Sequence, residues 1–217
     1  MRPDRVAFFD LDGTLTDPKP GICGSLQFAL TELGHPAPAQ DELEWVIGPP
    51  MIESLRQIVG PDRAEEGLRL YRRRYGETGL FENRVYDGIP ELLRRLTEDG
   101  WRLYVATSKA RPYALRIVEH FGLAPFFAET YGSGLDGSLM HKDALLAHAF
   151  ADAGVDPRAA VMIGDRKFDV LGAKANGAPT IGVAWGYGSR AELEEAGAAA
   201  IVATPAEVDG ALAAVAS

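Results

Sequence analysis

Short, unbroken apolar runs that end on polar residues recur along the chain, each followed by a helix-like stretch. The first is Val6-Ala7-Phe8-Phe9, closed by Asp10. The second is Leu103-Tyr104-Val105-Ala106, closed by Thr107-Ser108 and followed by a helical pattern over about 112–121. The third is Ala160-Val161-Met162-Ile163, closed by Gly164-Asp165, with a helix that runs on through Asn176 and Gly177. Apolar runs without polar alternation predict strands covered on both faces, hence a parallel sheet. Further strands are predicted at 180–183 and 200–202, and a short one near 129–131. Strands that alternate with helices predict an α/β, doubly wound architecture.

One stretch breaks this rhythm. Between about Asp17 and Arg84 the pattern holds no convincing strand, only amphipathic helical segments at 22–33, 51–59 and 63–75. The breakers Gly34-His35-Pro36 and Gly48-Pro49-Pro50 separate them. Strand grammar resumes after Tyr86-Asp87-Gly88-Ile89-Pro90, which reads as a turn into a helix. The expected organisation is therefore a Rossmann-like core from 1–16 and 85–217, with a small all-helical cap, 17–84, inserted after the first strand. An Ala-rich helix over about 205–216 is expected to be structural.

Bulk properties narrow the function classes. A chain of 217 residues accommodates one core domain and a smaller accessory one. The formal net charge of −9, with no offsetting basic stripe, argues against a nucleic-acid partner. Arg72-Arg73-Arg74 lies beside acids in a helical pattern and reads as a solvated face. Cys23 is the only cysteine, so no internal disulfide forms, and packing inside a helix is its expected role. Asp10 interrupts the only N-terminal apolar stretch, so no signal peptide or membrane span is expected. A cytoplasmic protein, monomeric or weakly dimeric, is the expectation.

The polar strand ends carry the chemistry. In open α/β sheets, ligands bind outside the carboxyl ends of the strands, and Asp10, Thr107-Ser108 and Asp165 each fall at such an end. Asp12 follows Asp10 by two positions, and ending a buried strand on two acids is costly unless something positive sits there. Asp169 lies four residues after Asp165 in the next helix, which puts both carboxylates on one helix face. They equally suit a helix N-terminus, but with Asp10 and Asp12 nearby the four acids make a site for a hard cation. Mg²⁺ suits it, binding through one or two carboxylates, waters and substrate phosphate. The four histidines are scattered and support no zinc site. Lys142 opens a predicted helix, where a cation opposes the macrodipole and so calls for a reason. Thr107 and Ser108 serve either as helix caps or as donors to a phosphoryl oxygen.

Asp10-Leu11-Asp12-Gly13-Thr14, Thr107-Ser108, Lys142 and Gly164-Asp165 with Asp169 resemble, in order and spacing, the four motifs of the haloacid dehalogenase superfamily. The resemblance runs from Val6 to about Gly188, and the helical insertion resembles the cap of its phosphoglycolate-phosphatase-like branch. It implies a phosphomonoester hydrolase that works through an aspartyl-phosphate. Asp10 would be the nucleophile and Asp12 the general acid, then base. Asp10, the backbone carbonyl of Asp12, and Asp165 would hold Mg²⁺, with Asp169 in support. Thr107 and the Ser108 amide would hold the phosphoryl group, and Lys142 would neutralise Asp10 and the phosphate. The implied substrate is a small phosphate ester such as 2-phosphoglycolate, with a nucleoside monophosphate as the main alternative. Lys19, Arg56 and Arg74 are the cap cations in question. Arg166 stands where many phosphoglycolate phosphatases have serine, and Thr14 favours a phosphatase over a sugar phosphomutase.

Overall fold

The computed structural model describes residues 5–215. Its strands are β1 (Val6–Phe9), β2 (Thr16–Asp17), β3 (Arg84–Val85), β4 (Arg102–Ala110), β5 (Phe127–Ser133), β6 (Ala160–Gly164), β7 (Thr180–Val183) and β8 (Ala200–Val202). Six of them form one sheet in the order β5-β4-β1-β6-β7-β8. Every pairing in it is parallel, with Phe8 opposite Tyr104 on one side and Met162 on the other. Strand order reverses beside β1, because the chain leaves β1 toward β4 and later returns to its other side at β6. The first polar residues of both crossovers therefore meet at one end of the sheet.

The helices are α1 (Lys19–Glu32), α2 (Met51–Val59), α3 (Pro61–Arg74), α4 (Ile89–Glu98), α5 (Arg111–His120), α6 (Lys142–Ala153), α7 (Lys167–Ala175), α8 (Arg190–Ala196) and α9 (Val208–Val215). Side chains alternate across the sheet, as a pleated strand requires. Ala7 and Phe9 of β1 face a core with Leu92 and Leu93 of α4, Ile117 of α5 and Leu212 of α9. Val6 and Phe8 face a second core with Leu145, Leu146 and Phe150 of α6. The predicted doubly wound α/β sheet is thus observed. The strand expected near 129–131 is longer than its pattern suggested, because Gly132 and Ser133 extend the pairing with β4. The C-terminal helix begins after a 3₁₀ turn at Pro205–Glu207, and Ala216, included in its expected range, lies outside the described residues.

Between β2 and β3 the structure is helical, with α1, α2 and α3 joined by a 3₁₀ segment, Gln40–Val46, and closed by a π turn, Tyr75–Gly79. The sequence pattern showed no strand at the borders of this insert, yet its entry and exit pair as an antiparallel ribbon, Thr16 opposite Val85 and Asp17 opposite Arg84. Two residues are too few for any periodicity to register. The Arg84 guanidinium lies 3.0 Å from the Asp17 carboxylate, which fastens the two ends together. Cys23 is buried in α1 with Leu26 and Leu30, as its helix-packing role predicts.

Candidate active site

Asp10 continues the ladder of β1 by one residue, its N–H donating to the Ile163 carbonyl at 2.9 Å. The chain then turns at once. The Leu11 carbonyl accepts from the N–H groups of Leu15 (2.9 Å) and Thr16 (3.0 Å). Gly13 sits in this turn at φ 84°, and a Cβ there would lie 2.2 Å from Asp165 Oδ2. Glycine therefore serves twice, allowing the left-handed turn and leaving room for the carboxylate that approaches from β6.

Asp10, Asp165 and Asp169 converge at this end of the sheet, each offering a carboxylate oxygen within 4.8 Å of the others, and all three are buried. Lys142, the first residue of α6, supplies the counter-charge. Its ammonium lies 3.1 Å from Asp10 Oδ1 and 2.8 Å from Asp169 Oδ1, and donates to the Ala106 carbonyl at 3.0 Å. Gly172 of α7 makes the approach possible, because a Cβ there would lie 2.9 Å from Lys142 Cβ. Burial alone would push the Lys142 pKa down, but Asp10 and Asp169 more than reverse this and raise it, so the ammonium stays charged. This local pairing is the reason the helix tolerates a cation in its first turn.

Three buried carboxylates face that one ammonium. Asp165 instead accepts hydrogen bonds from the Thr14 hydroxyl (3.2 Å) and the Tyr187 N–H (2.8 Å). Burial, with Asp169 and Asp10 beside it, raises the Asp165 pKa well above the ordinary value. Burial likewise lifts Asp169 to about 6, against the opposing pull of Lys142. The surplus of buried negative charge, in an all-oxygen donor set, suits a hard divalent cation such as Mg²⁺. The Asp12 side chain is not part of this triad.

Asp12 has a different partner. Its Oδ2 lies 2.8 Å from the ammonium of Lys109, near the end of β4, while its Oδ1 is buried without a hydrogen-bond partner. Burial raises the Asp12 pKa, only partly offset by Lys109. The same ammonium donates to the hydroxyl of Tyr75, in the π turn that ends the helical insert. Lys109 was absent from the residues expected at the site. Its signal was its place directly after Thr107-Ser108, a cation joined to two strand-end hydroxyls.

Thr107 is buried, and its hydroxyl accepts from the Lys109 N–H at 3.2 Å. Asp10, Asp12, Thr107 and Ser108 all open on one cavity. The same cavity is lined by Tyr71, Tyr75, Met51 and Ile52 of the insert, Tyr113 of α5, and Arg72. Arg72 is half-buried at this cavity, while Arg73 is exposed, as expected for the triplet. Lys19, Arg56 and Arg74 lie elsewhere, paired with Asp41 and Glu44, with Glu65, and with Glu82 respectively.

Comparison with known proteins agrees with this geometry. The haloacid dehalogenase-like hydrolase family matches residues 7–183. The chain is 50% identical over 187 residues to a 5′-nucleotidase of Pseudomonas aeruginosa, covering 85% of each protein. It is 43% identical over 205 residues to the tyrosine-protein kinase PtkA of Mycobacterium tuberculosis, covering 94% of this chain and 70% of that one. A phosphoglycolate phosphatase of Thiobacillus denitrificans is 28% identical over 214 residues, 94% of each. The crystal structure of a predicted phosphatase from Clostridium acetobutylicum superimposes with a TM-score of 0.91, at 38% identity over 98% of each chain. With its motif side chains gathered at one end of the sheet, the chain belongs to the haloacid dehalogenase-like hydrolase family, among its phosphatases.

Proposed function

We propose that the chain hydrolyses small phosphate monoesters through an aspartyl-phosphate on Asp10, with 17–84 acting as a cap over the reacting groups. One observation carries this reading: two carboxylates, two residues apart, have separate cations, Asp10 with Lys142 and Asp12 with Lys109. Paired with Lys142, Asp10 is the nucleophile. Burial raises the Asp12 pKa, which favours the protonated carboxyl that gives its proton to the leaving oxygen. It then accepts a proton from the water that cleaves the acyl phosphate. Thr107 and the Ser108 amide would hold the phosphoryl oxygens, and Lys142 balances their charge. Mg²⁺, held by Asp10, Asp165 and the Asp12 carbonyl with Asp169 in support, would neutralise the phosphoryl oxygens.

Of the two substrate classes expected from the sequence, the nucleoside monophosphate fits the cavity better. Apart from the polar motif residues its lining is chiefly aromatic and apolar, with Tyr71, Tyr113, Met51 and Ile52 among it. Such a lining suits a flat base. The 5′-nucleotidase relative supports the same assignment. The second reading, 2-phosphoglycolate, has Arg72 in the lining as a partner for its carboxylate.

Multiple-turnover assays across nucleoside 5′-monophosphates, 2-phosphoglycolate and an aryl phosphate, with Mg²⁺ and then with chelator, test both levels. Expected are Mg²⁺-dependent turnover, its abolition in Asp10→Asn, and the highest kcat/KM on a nucleotide. Hydrolysis by Asp10→Asn at the wild-type rate would overturn the mechanism. A higher kcat/KM on 2-phosphoglycolate would overturn only the substrate.

A further inference from the structure

We propose that Lys109 is a positioning residue for proton transfer, holding the Asp12 carboxyl in a reactive orientation only while Tyr75 of the helical insert holds Lys109. The inference rests on Asp12 acting as the acid in the reading above.

Three chain segments meet at one ammonium. Lys109 comes from the end of β4, Asp12 from the turn after β1, and Tyr75 from the π turn closing the insert. The Lys109 side chain is 6% exposed, so water does not replace either partner without displacing protein. An ammonium has three N–H donors and no acceptor. One donor is directed at Asp12 Oδ2 and another at the Tyr75 hydroxyl, which fixes the nitrogen between core and insert.

Tyr75 is itself immobilised. It is 1% exposed, stacked on Tyr71 with ring centroids 5.2 Å apart, and met edge-on by Tyr113 at 5.6 Å. The Lys109 nitrogen also lies 4.5 Å from the Tyr75 ring centroid, an attractive approach for a cation. Tyr75 thus contributes a hydroxyl and a ring face to one charge.

The consequence falls on Asp12. With Oδ2 engaged by Lys109, Oδ1 is the Asp12 oxygen without a protein partner, and it is the one left for the transferred proton in the reading above. As the bond from Asp10 oxygen to phosphorus forms and the bond from phosphorus to the leaving oxygen breaks, that proton passes from Asp12 to the leaving oxygen. Misplacing the carboxyl slows this step in proportion to how much the leaving group needs the proton. An alkoxide needs it; a nitrophenolate hardly does. Lifting the insert would take Tyr75 from the ammonium, so the seating of the insert and the orientation of the proton donor are coupled.

The test compares kcat/KM, which reports the first phosphoryl transfer, on a nucleoside 5′-monophosphate and on p-nitrophenyl phosphate. Lys109→Met should lose about 100-fold on the alkyl ester and less than about 5-fold on the aryl ester, within the range of general acid catalysis. Tyr75→Phe, which keeps the ring packing, should show the same selectivity at roughly a tenth of the size. It also decides the matter should Lys109→Met fail to fold. Equal losses on both esters, or a rise in KM alone, would mean that Lys109 binds substrate or only supports the fold, and would overturn the inference. Asp12→Asn separates the two levels. If it too lacks leaving-group selectivity, the acid assignment fails; if it alone shows the selectivity, only the role of Lys109 fails.

Discussion

Arg166 donates from its guanidinium to the backbone carbonyl of Ile47, joining the loop that carries Asp165 to the helical insert. The same side chain pairs with Glu192 at 3.0 Å and is 11% exposed. Ile47 precedes Gly48-Pro49-Pro50, which line the cavity above Asp10. Arg166 is therefore a bridge between core and insert. Arg166→Ala should cost about 1.5–3 kcal/mol of stability, the range for hydrogen bonds to charged groups. It should raise KM several-fold with a smaller change in kcat, because the wall of the cavity is loosened and the reacting groups are not. Denaturant melts and steady-state kinetics measure both, and an unchanged KM would show that the bridge is dispensable.

Lys142→Met removes the only ammonium among the described residues in contact with Asp10 and Asp169. Stranding buried charge after losing one partner costs roughly 3–5 kcal/mol. The loss should be greatest without metal and partly recovered by Mg²⁺, which would supply the missing positive charge. Turnover should not recover, since the phosphoryl group would still lack its cation. Thermal melts with chelator and with Mg²⁺, set beside activity, distinguish the two roles. Full activity in this variant would contradict the proposed mechanism.

Asp165 and Asp169 give the metal-free protein a pH dependence of definite sign. Their pKa values lie above the ordinary 3.8, Asp169 at about 6 and Asp165 well above the ordinary value. Over that interval the folded protein holds protons that the unfolded chain has released, so stability falls as pH rises. It is fully present below the unfolded value and is lost as pH passes through the folded one. Metal binding requires the same protons to leave. The Mg²⁺-induced rise in Tm should therefore be small at about pH 5 and large at about pH 7.5. Calorimetry with and without chelator reads this directly, and a Mg²⁺ effect that shrinks with pH would exclude the triad as the metal site.

Gly13→Ala tests the close approach behind the motif. The backbone there is at φ 84°, and the added methyl would meet Asp165 Oδ2. The conformation alone costs roughly 1–2 kcal/mol for a residue with a Cβ. Displacing Asp165 should weaken Mg²⁺ binding further, so the activity should require much higher Mg²⁺. Magnesium titrations of activity and of Tm would show it. An unchanged Mg²⁺ requirement would mean that Asp165 moves without consequence.

The hydrophobic pattern made the sheet legible because a strand buried on both faces has no polar alternation, and the apolar runs of β1, β4 and β6 each give way abruptly to polar residues, although β4 itself continues past Thr107 to Ala110. Asp10, Thr107 and Asp165 were readable for the same reason, since a costly polar residue at the end of such a strand needs a function. The short strands β2 and β3 were invisible, two residues each, as was the 3₁₀ segment Gln40–Val46. Local pattern carries no signal at that length.

By itself the sequence determined the strand ends, the acids and hydroxyls placed there, and the helical stretch that interrupts the sheet. These are consequences of local periodicity and of the cost of burying charge. The pairing of Lys142 with Asp10 was already implied by the family resemblance; the tertiary structure alone decided the other partners of the buried cations. Lys142 also meets Asp169, Lys109 goes to Asp12 and Tyr75, and Arg166 goes to the Ile47 carbonyl. Each of these partnerships joins segments that only the crossovers around β1 and the folding back of the insert bring together, and charge attraction falls off too quickly for residues far apart in the chain to declare it.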